Sequence, residues 1–120
     1  LKVYGHALEE IMVQLIEEQF LNEQRYASSY ARGKMEHLQW GRIKIRYGLR
    51  QQQVSETCIR QALEELDPQR YTDILDKVAA KKWNSLSGTN PMQRQWKVKQ
   101  YLVGKGFEPD EIESSLRSLS

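Results

Sequence analysis

One cysteine, Cys58, cannot form a disulfide within the chain, and such sparse usage fits a reducing compartment, so the expected location is the cytoplasm. The two histidines, His6 and His37, stand far from each other and from Cys58, a spacing that assembles no metal site. No apolar run approaches the ~18 residues of a membrane span. The sequence has no glycine-rich phosphate loop, no nucleophile motif and no clustered carboxylate pair with a nearby base, so neither an enzyme nor a cofactor is expected. Glu9-Glu10 and Glu17-Glu18 read as a solvated helix exterior. The opening LKVYGHALEE has no basic segment leading into an apolar one and does not read as a signal peptide. It begins without methionine or a helix cap, and so reads as trimmed from a longer chain.

What is present is charge, sorted into blocks. Residues 1–24 carry one Lys against five Glu, and residues 25–50 carry seven basic groups against Glu36 alone. Residues 51–76 hold two Arg against six acids, residues 77–106 hold seven basic groups and no acid, and the last fourteen residues are acidic again. Alternating blocks of this kind argue for repeated units, each with a basic and an acidic part.

Sliding the sequence along itself locates the repeat. LRQQQVSETCIRQALEEL (49–66) lies over LVGKGFEPDEIESSLRSL (102–119) at an offset of 53. Leu49 meets Leu102, Val54 meets Phe107, Ile59 meets Ile112, Leu63 meets Leu116 and Leu66 meets Leu119. Upstream, Ile45 meets Val98, and Lys44 and Arg46 meet Lys97 and Lys99. NEQRY (22–26) also matches DPQRY (67–71), and a shorter echo sets Gly5, Ile11 and Leu15 over Gln53, Ile59 and Leu63. Apolar residues keep helical spacing throughout. Asn22, Ser55, Asp67-Pro68, Asn90-Pro91 and Pro109 supply start signals, and Gly104 and Gly106 supply a stop.

The reading is seven helices, over 7–19, 22–36, 40–52, 55–66, 68–86, 91–104 and 109–119. They group into a remnant of a first three-helix repeat (1–20), a middle repeat (21–66) and a last repeat (67–120). The expected fold is all-α, with tandem three-helix repeats stacked into an elongated, slightly curved solenoid. Residues 42–47 alternate basic and apolar as a strand would, but no partner strand exists, and the second copy makes them a helix with Ile45 and Leu49 on its core side. Trp40, Ile43 and Tyr47 form a second apolar arc, which either packs on the neighbouring unit or faces a partner.

LNEQRYASSYARGK followed by WGRIKIRYGLRQQQVSETCIRQALEEL, with the later KKWNSL and YLVGKGFEPDEIESSL, resembles the RecX family of bacterial regulators of the recombinase RecA. The likeness covers about residues 5–119. It implies tandem three-helix repeats and no catalytic site. It also implies a protein that binds the RecA-type recombinase–DNA filament and inhibits its ATPase and strand exchange, modulating recombination and DNA repair. The chain departs from the family pattern at Gln51-Gln52-Gln53, where a more basic, glycine-containing turn such as Gly104-Lys105-Gly106 is common.

A filament offers phosphates, and cations held in rows on helices attract them without reading sequence, whether the DNA is single- or double-stranded. Arg42, Arg46 and Arg50 make one such row with Lys44 beside it, preceded by Arg25, Arg32 and Lys34. Arg94, Lys97, Lys99 and Lys105 make the second, preceded by Lys77, Lys81 and Lys82. Tyr26, Trp40 and Tyr47 are the candidate aromatic contacts, from a first group that also holds Tyr30, and Trp83, Trp96 and Tyr101 lie among the second row's cations. The alternative for each row is a merely solvated face, and for most aromatics, packing. Sequence-specific readout by residues 55–66 in a major groove is rejected, because Glu56, Glu64 and Glu65 face only Arg60. The remaining alternatives are a helical-repeat nucleic-acid binder acting without a recombinase and a protein-binding scaffold; a monomer is expected in each case.

Overall fold

The computed structural model describes residues 2–119, with side chains from Ala7 onward. Leu1 and Ser120, at the ends of the expected repeats, lie outside the described residues, as does the side chain of His6. Among the described residues six helices follow one another: α1 Lys2–Leu38, α2 Arg42–Gln51, α3 Glu56–Glu64, α4 Pro68–Ser85, α5 Pro91–Gly104 and α6 Pro109–Leu119. Among the described residues there is no strand, and Arg42 to Tyr47 lie in α2.

The helix starts follow from local chemistry. The Ser55 hydroxyl accepts from the Cys58 N–H, and the Asp67 and Asn90 side chains accept from the N–H groups of Gln69 and Met92. Proline opens α4, α5 and α6, where its missing N–H costs nothing. One expected boundary is absent. Residues 7–36 read as two helices divided at Asn22, but α1 runs unbroken through that point. The matched position in the last repeat is Asp67-Pro68, whose proline disfavours helical conformation in the residue before it. Asn22 has no proline behind it, so nothing interrupts the i→i−4 ladder.

Two three-helix units share one continuous core. The second half of α1 contributes Ala27, Ala31 and Met35, which meet Ile45 and Leu49 of α2 and Cys58, Ile59, Ala62 and Leu63 of α3. In the next unit Tyr71, Ile74, Leu75 and Ala79 of α4 meet Val98 and Leu102 of α5 and Ile112 and Leu116 of α6. Ile45/Val98, Leu49/Leu102, Val54/Phe107, Ile59/Ile112 and Leu63/Leu116, paired by the 53-residue offset, are therefore the same core positions used twice, each side chain stabilising by about 1.5–3 kcal/mol on full burial. Residues 7–20 pack on neither unit: Leu8, Ile11, Met12, Leu15 and Ile16 are each more than half exposed. This projecting helix helps stretch the molecule to 79 × 23 × 21 Å.

Both middle helices end alike. After α5, the Phe107 N–H bonds to the Leu102 carbonyl and the Gly106 N–H to Val103, with Gly106 at φ 92°. After α2, the Val54 N–H bonds to Leu49 and the Gln53 N–H to Arg50, with Gln53 at φ 61°. These are paired Schellman caps. The glutamine run thus holds the glycine turn's shape, but with a side chain at a left-handed position that glycine occupies without cost.

Candidate nucleic-acid interface

The start of α2 and the end of α5 build a joint between the units. The Gly41 N–H donates to the Lys105 carbonyl (2.8 Å) and the Ile43 N–H to the Gly106 carbonyl (3.0 Å), so the last unit's turn caps the middle unit's helix. Contact is backbone to backbone: a Cβ on Gly41 would stand 2.3 Å from the carbonyl atoms of Gly106. Tyr71, buried at the start of α4, accepts from the Arg42 N–H (3.0 Å) and donates its hydroxyl proton to Glu108. Burial, then the Glu108 bond, pushes its phenol well above the ordinary tyrosine value.

This joint takes up part of the expected basic row. The Arg42 guanidinium lies 3.9 Å from the centre of the Tyr71 ring and pairs with Glu108 at 2.8 Å. Arg50 pairs with Glu56 at 2.6 Å, and Lys99 with Glu113 at 2.7 Å. Arg94 lies 4.0 Å from the Trp83 ring centre and donates to the Trp83 carbonyl. Arg46 lines a shallow groove together with Arg60 and Glu64. Arg25 and Arg32, about two turns apart on one face of α1, and Lys97 on α5 are exposed. The rows are thus not acid-free in three dimensions, since the carboxylates arrive from later helices.

Other cations converge. Trp40, half-buried against the core, carries the Lys34 ammonium at 5.0 Å and the Lys44 ammonium at 4.8 Å from its ring. Lys44 packs against Gly106, next to Lys105, whose ammonium donates to the Leu38 carbonyl at 2.7 Å. Burial first, and then the Lys44 charge, lower the pKa of Lys105. Lys105 in turn lines a cleft of about 450 Å³ with Lys77, Lys81, Lys82 and Tyr101, over a floor of Ile74 and Val78. Glu36 on its wall is occupied by a two-pronged pair with Arg70, at 2.8 Å and 2.9 Å, which holds that carboxyl below its usual range. The result is a continuous cationic strip from Lys34 across the joint to Lys77. The sequence places Lys77, Lys81, Lys82, Lys105 and Tyr101 in one basic and aromatic block, but nothing in it marks Ile74 and Val78 as the floor between them. Lys77 and Lys81 stand at i and i+4 on α4, a spacing that signals a shared face.

The second apolar arc divides. Trp40 packs inward, but the Ile43 and Tyr47 side chains are 50% and 65% exposed. Trp96, which matches Ile43 in the second copy, is 61% exposed. Tyr26 is also exposed. No helix among the described residues is long and apolar enough to cross a membrane, and none of their His, Cys, Asp and Glu gather in groups that could hold a metal ion.

Fold and site together define a class: tandem three-helix units joined helix end to helix end, with lysines gathered across the joint. Profiles of the RecX second and third three-helix domains match residues 22–63 and 69–116. The chain belongs to the RecX family. It is 27% identical over 104 residues to the regulatory protein RecX of Clostridium acetobutylicum, covering 83% of this chain and 48% of that protein. It is 32% identical over 99 residues to the regulatory protein RecX of Pelodictyon phaeoclathratiforme, covering 82% and 60%. The crystal structure of RecX from Lactobacillus salivarius superposes with a TM-score of 0.79 at 28% identity, over 92% of this chain and 72% of that one. The chain spans about half the length of the curated relatives it matches.

Proposed function

We propose that this chain is a regulatory protein that binds a RecA-type recombinase–DNA filament and inhibits its ATPase and strand-exchange activities. It acts by occupying the filament, without a reaction or cofactor of its own, as a cytoplasmic monomer that binds DNA independently of sequence. The observation that carries this reading is the lysine strip across the joint. Cations on two packed units, held by backbone hydrogen bonds, make a rigid counterpart to a repeating line of phosphates. Family membership supports the regulatory role. We also read residues 1–20 as the closing helix of a preceding three-helix unit, followed by units over 21–66 and 67–120. The exposed Leu8, Ile11, Leu15 and Ile16 are the residues such a unit would cover.

The test is DNA-dependent ATP hydrolysis by a RecA-type recombinase, with and without the chain. Inhibition at stoichiometric amounts is expected, and its absence refutes the reading. Within the basic set, Lys34→Glu with Lys44→Glu abolishes most of the effect, whereas Arg50→Gln, which removes a cation already paired with Glu56, changes it little.

A further inference from the structure

The cleft at the far end of the strip differs from the rest of it. Elsewhere the cations stand on convex helix surfaces, whereas here α4, α5 and the end of α1 enclose about 450 Å³. That volume suits a small organic group and its substituents rather than a duplex. Its floor is apolar, formed by Ile74 and Val78, and Tyr101 forms one wall with the Lys82 ammonium 4.8 Å from its ring centre. Its rim is Lys77, Lys81, Lys82 and Lys105. The occupant must therefore be flat or apolar on one side and anionic on the other.

The kind of cation narrows the anion. Carboxylates are best recognised by the planar fork of arginine, and the only arginine in the cleft, Arg70, is already held by Glu36. What remains are lysines, point charges on flexible stems that suit phosphate oxygens. Lys77 and Lys81 are spaced about 6 Å along the helix axis, so they can meet successive anionic groups of one extended chain. Lys105 supports the same conclusion: it is partly buried beside Lys44 with no carboxylate partner among the described residues, so an anion entering the cleft relieves a like-charge contact.

We propose that this cleft is a single-strand nucleic-acid subsite. In it one base lies on Tyr101 over the Ile74 and Val78 floor, and the flanking phosphodiesters lie on Lys77, Lys81 and Lys105. It deepens the filament reading and rests on it only in supposing that a nucleic acid is the ligand. The middle unit has no equivalent. Tyr101 matches Gly48, and a Cβ there would stand 2.1 Å from the Tyr30 hydroxyl, so that groove is already filled.

The experiment uses the chain as it stands, with a fluorescent oligothymidylate and no recombinase. Lys77→Gln with Lys81→Gln removes two positive charges; Arg60→Glu on α3 changes net charge by the same amount outside the cleft. The cleft pair is expected to weaken binding on the order of tenfold at low salt and to reduce the salt slope by about 1.4, with Arg60→Glu within about twofold of wild type. Tyr101→Ala weakens binding by about tenfold, Tyr101→Phe does not, and ultraviolet crosslinking of a 5-bromouracil oligonucleotide labels Tyr101. Equal losses from the cleft pair and Arg60→Glu overturn the proposal, as does wild-type binding by Tyr101→Ala. So does duplex DNA bound as tightly as the single strand, or displacement of the strand by polyglutamate at equal charge. Circular dichroism and urea midpoints matching wild type exclude misfolding, since all these positions are at the surface. If the chain fails to inhibit a recombinase while the cleft pair still loses oligonucleotide binding, the filament reading falls and the cleft stands. If inhibition holds while cleft variants bind normally, the cleft alone falls.

Discussion

The two units are copies with the same core and different edges. Tyr26 and Tyr71 occupy matched positions, yet Tyr26 is 47% exposed and Tyr71 is 1% exposed. Gln53 and Gly106 both sit in the left-handed region after matched helices, yet Gly106 is pressed against the other unit, where a Cβ on it would stand 2.3 Å from the Lys44 Cβ. The difference is one of neighbours. The last unit's edge, formed by Tyr71, Lys105, Gly106 and Glu108, docks on the start of α2, while the middle unit's corresponding edge docks on nothing described. A side chain's weight in this fold is set by its place in the joint more than by its place in the repeat.

Substitutions at matched positions should separate these contributions. The largest effect is expected from the tyrosines: Tyr71→Ala destabilises by about 3–5 kcal/mol in urea unfolding, as for other buried aromatic truncations. Tyr26→Ala costs under about 0.5 kcal/mol. Equal costs would mean that the joint contributes nothing.

The turns come next, with opposite signs. Gly106→Ala puts a Cβ at φ 92° and into Lys44, and costs about 2 kcal/mol or more. Gln53→Gly relieves the left-handed glutamine and stabilises by up to about 1 kcal/mol, net of the added freedom of the unfolded chain. A destabilised Gln53→Gly would show that the glutamine side chain does something the Schellman geometry does not require.

Ion pairs follow. Glu108→Gln weakens the half-buried contact with Arg42 and Tyr71 and costs about 1–2 kcal/mol. Glu56→Gln removes an exposed pair with Arg50 and leaves the urea midpoint unchanged within error.

The smallest effects concern pH. Tyr71 has its pKa raised in the folded state, so its contribution is complete below the ordinary tyrosine value of about 10 and is lost as pH rises beyond it. Tyr71→Phe should flatten that alkaline decline. Glu36, Glu56 and Glu113 are shifted down by Arg70, Arg50 and Lys99. Their contributions run the other way, present above the ordinary glutamate value of about 4.3 and lost as pH falls through their depressed values. Urea midpoints measured across both limbs check the signs.

Much of this was legible in one dimension. The paired aliphatic residues at 45/98, 49/102, 59/112 and 63/116 are all buried, and the Asp67, Asn90 and Ser55 caps bond as their residue types require. The missing break at Asn22 was the exception: asparagine is a permissive start signal, and without proline it does not compel one. The interface was less legible. Arg42, Arg46 and Arg50 share a stripe on α2, but which of them stays available depends on Glu108 and Glu56.

The sequence by itself determined the helices from α2 onward, the Ser55, Asp67 and Asn90 caps, the doubled core and the sorting of charge into blocks. Those follow from interactions within a few residues: hydrogen bonds of one turn, the 3.6-residue period and the absence of nearby opposite charge. Only the tertiary structure decided which cations serve the joint and which gather into a strip. Arg42 reaches Glu108 across 66 positions and Lys105 reaches Leu38 across 67. Such pairings depend on how two units dock, and local pattern carries no information about a partner that distant.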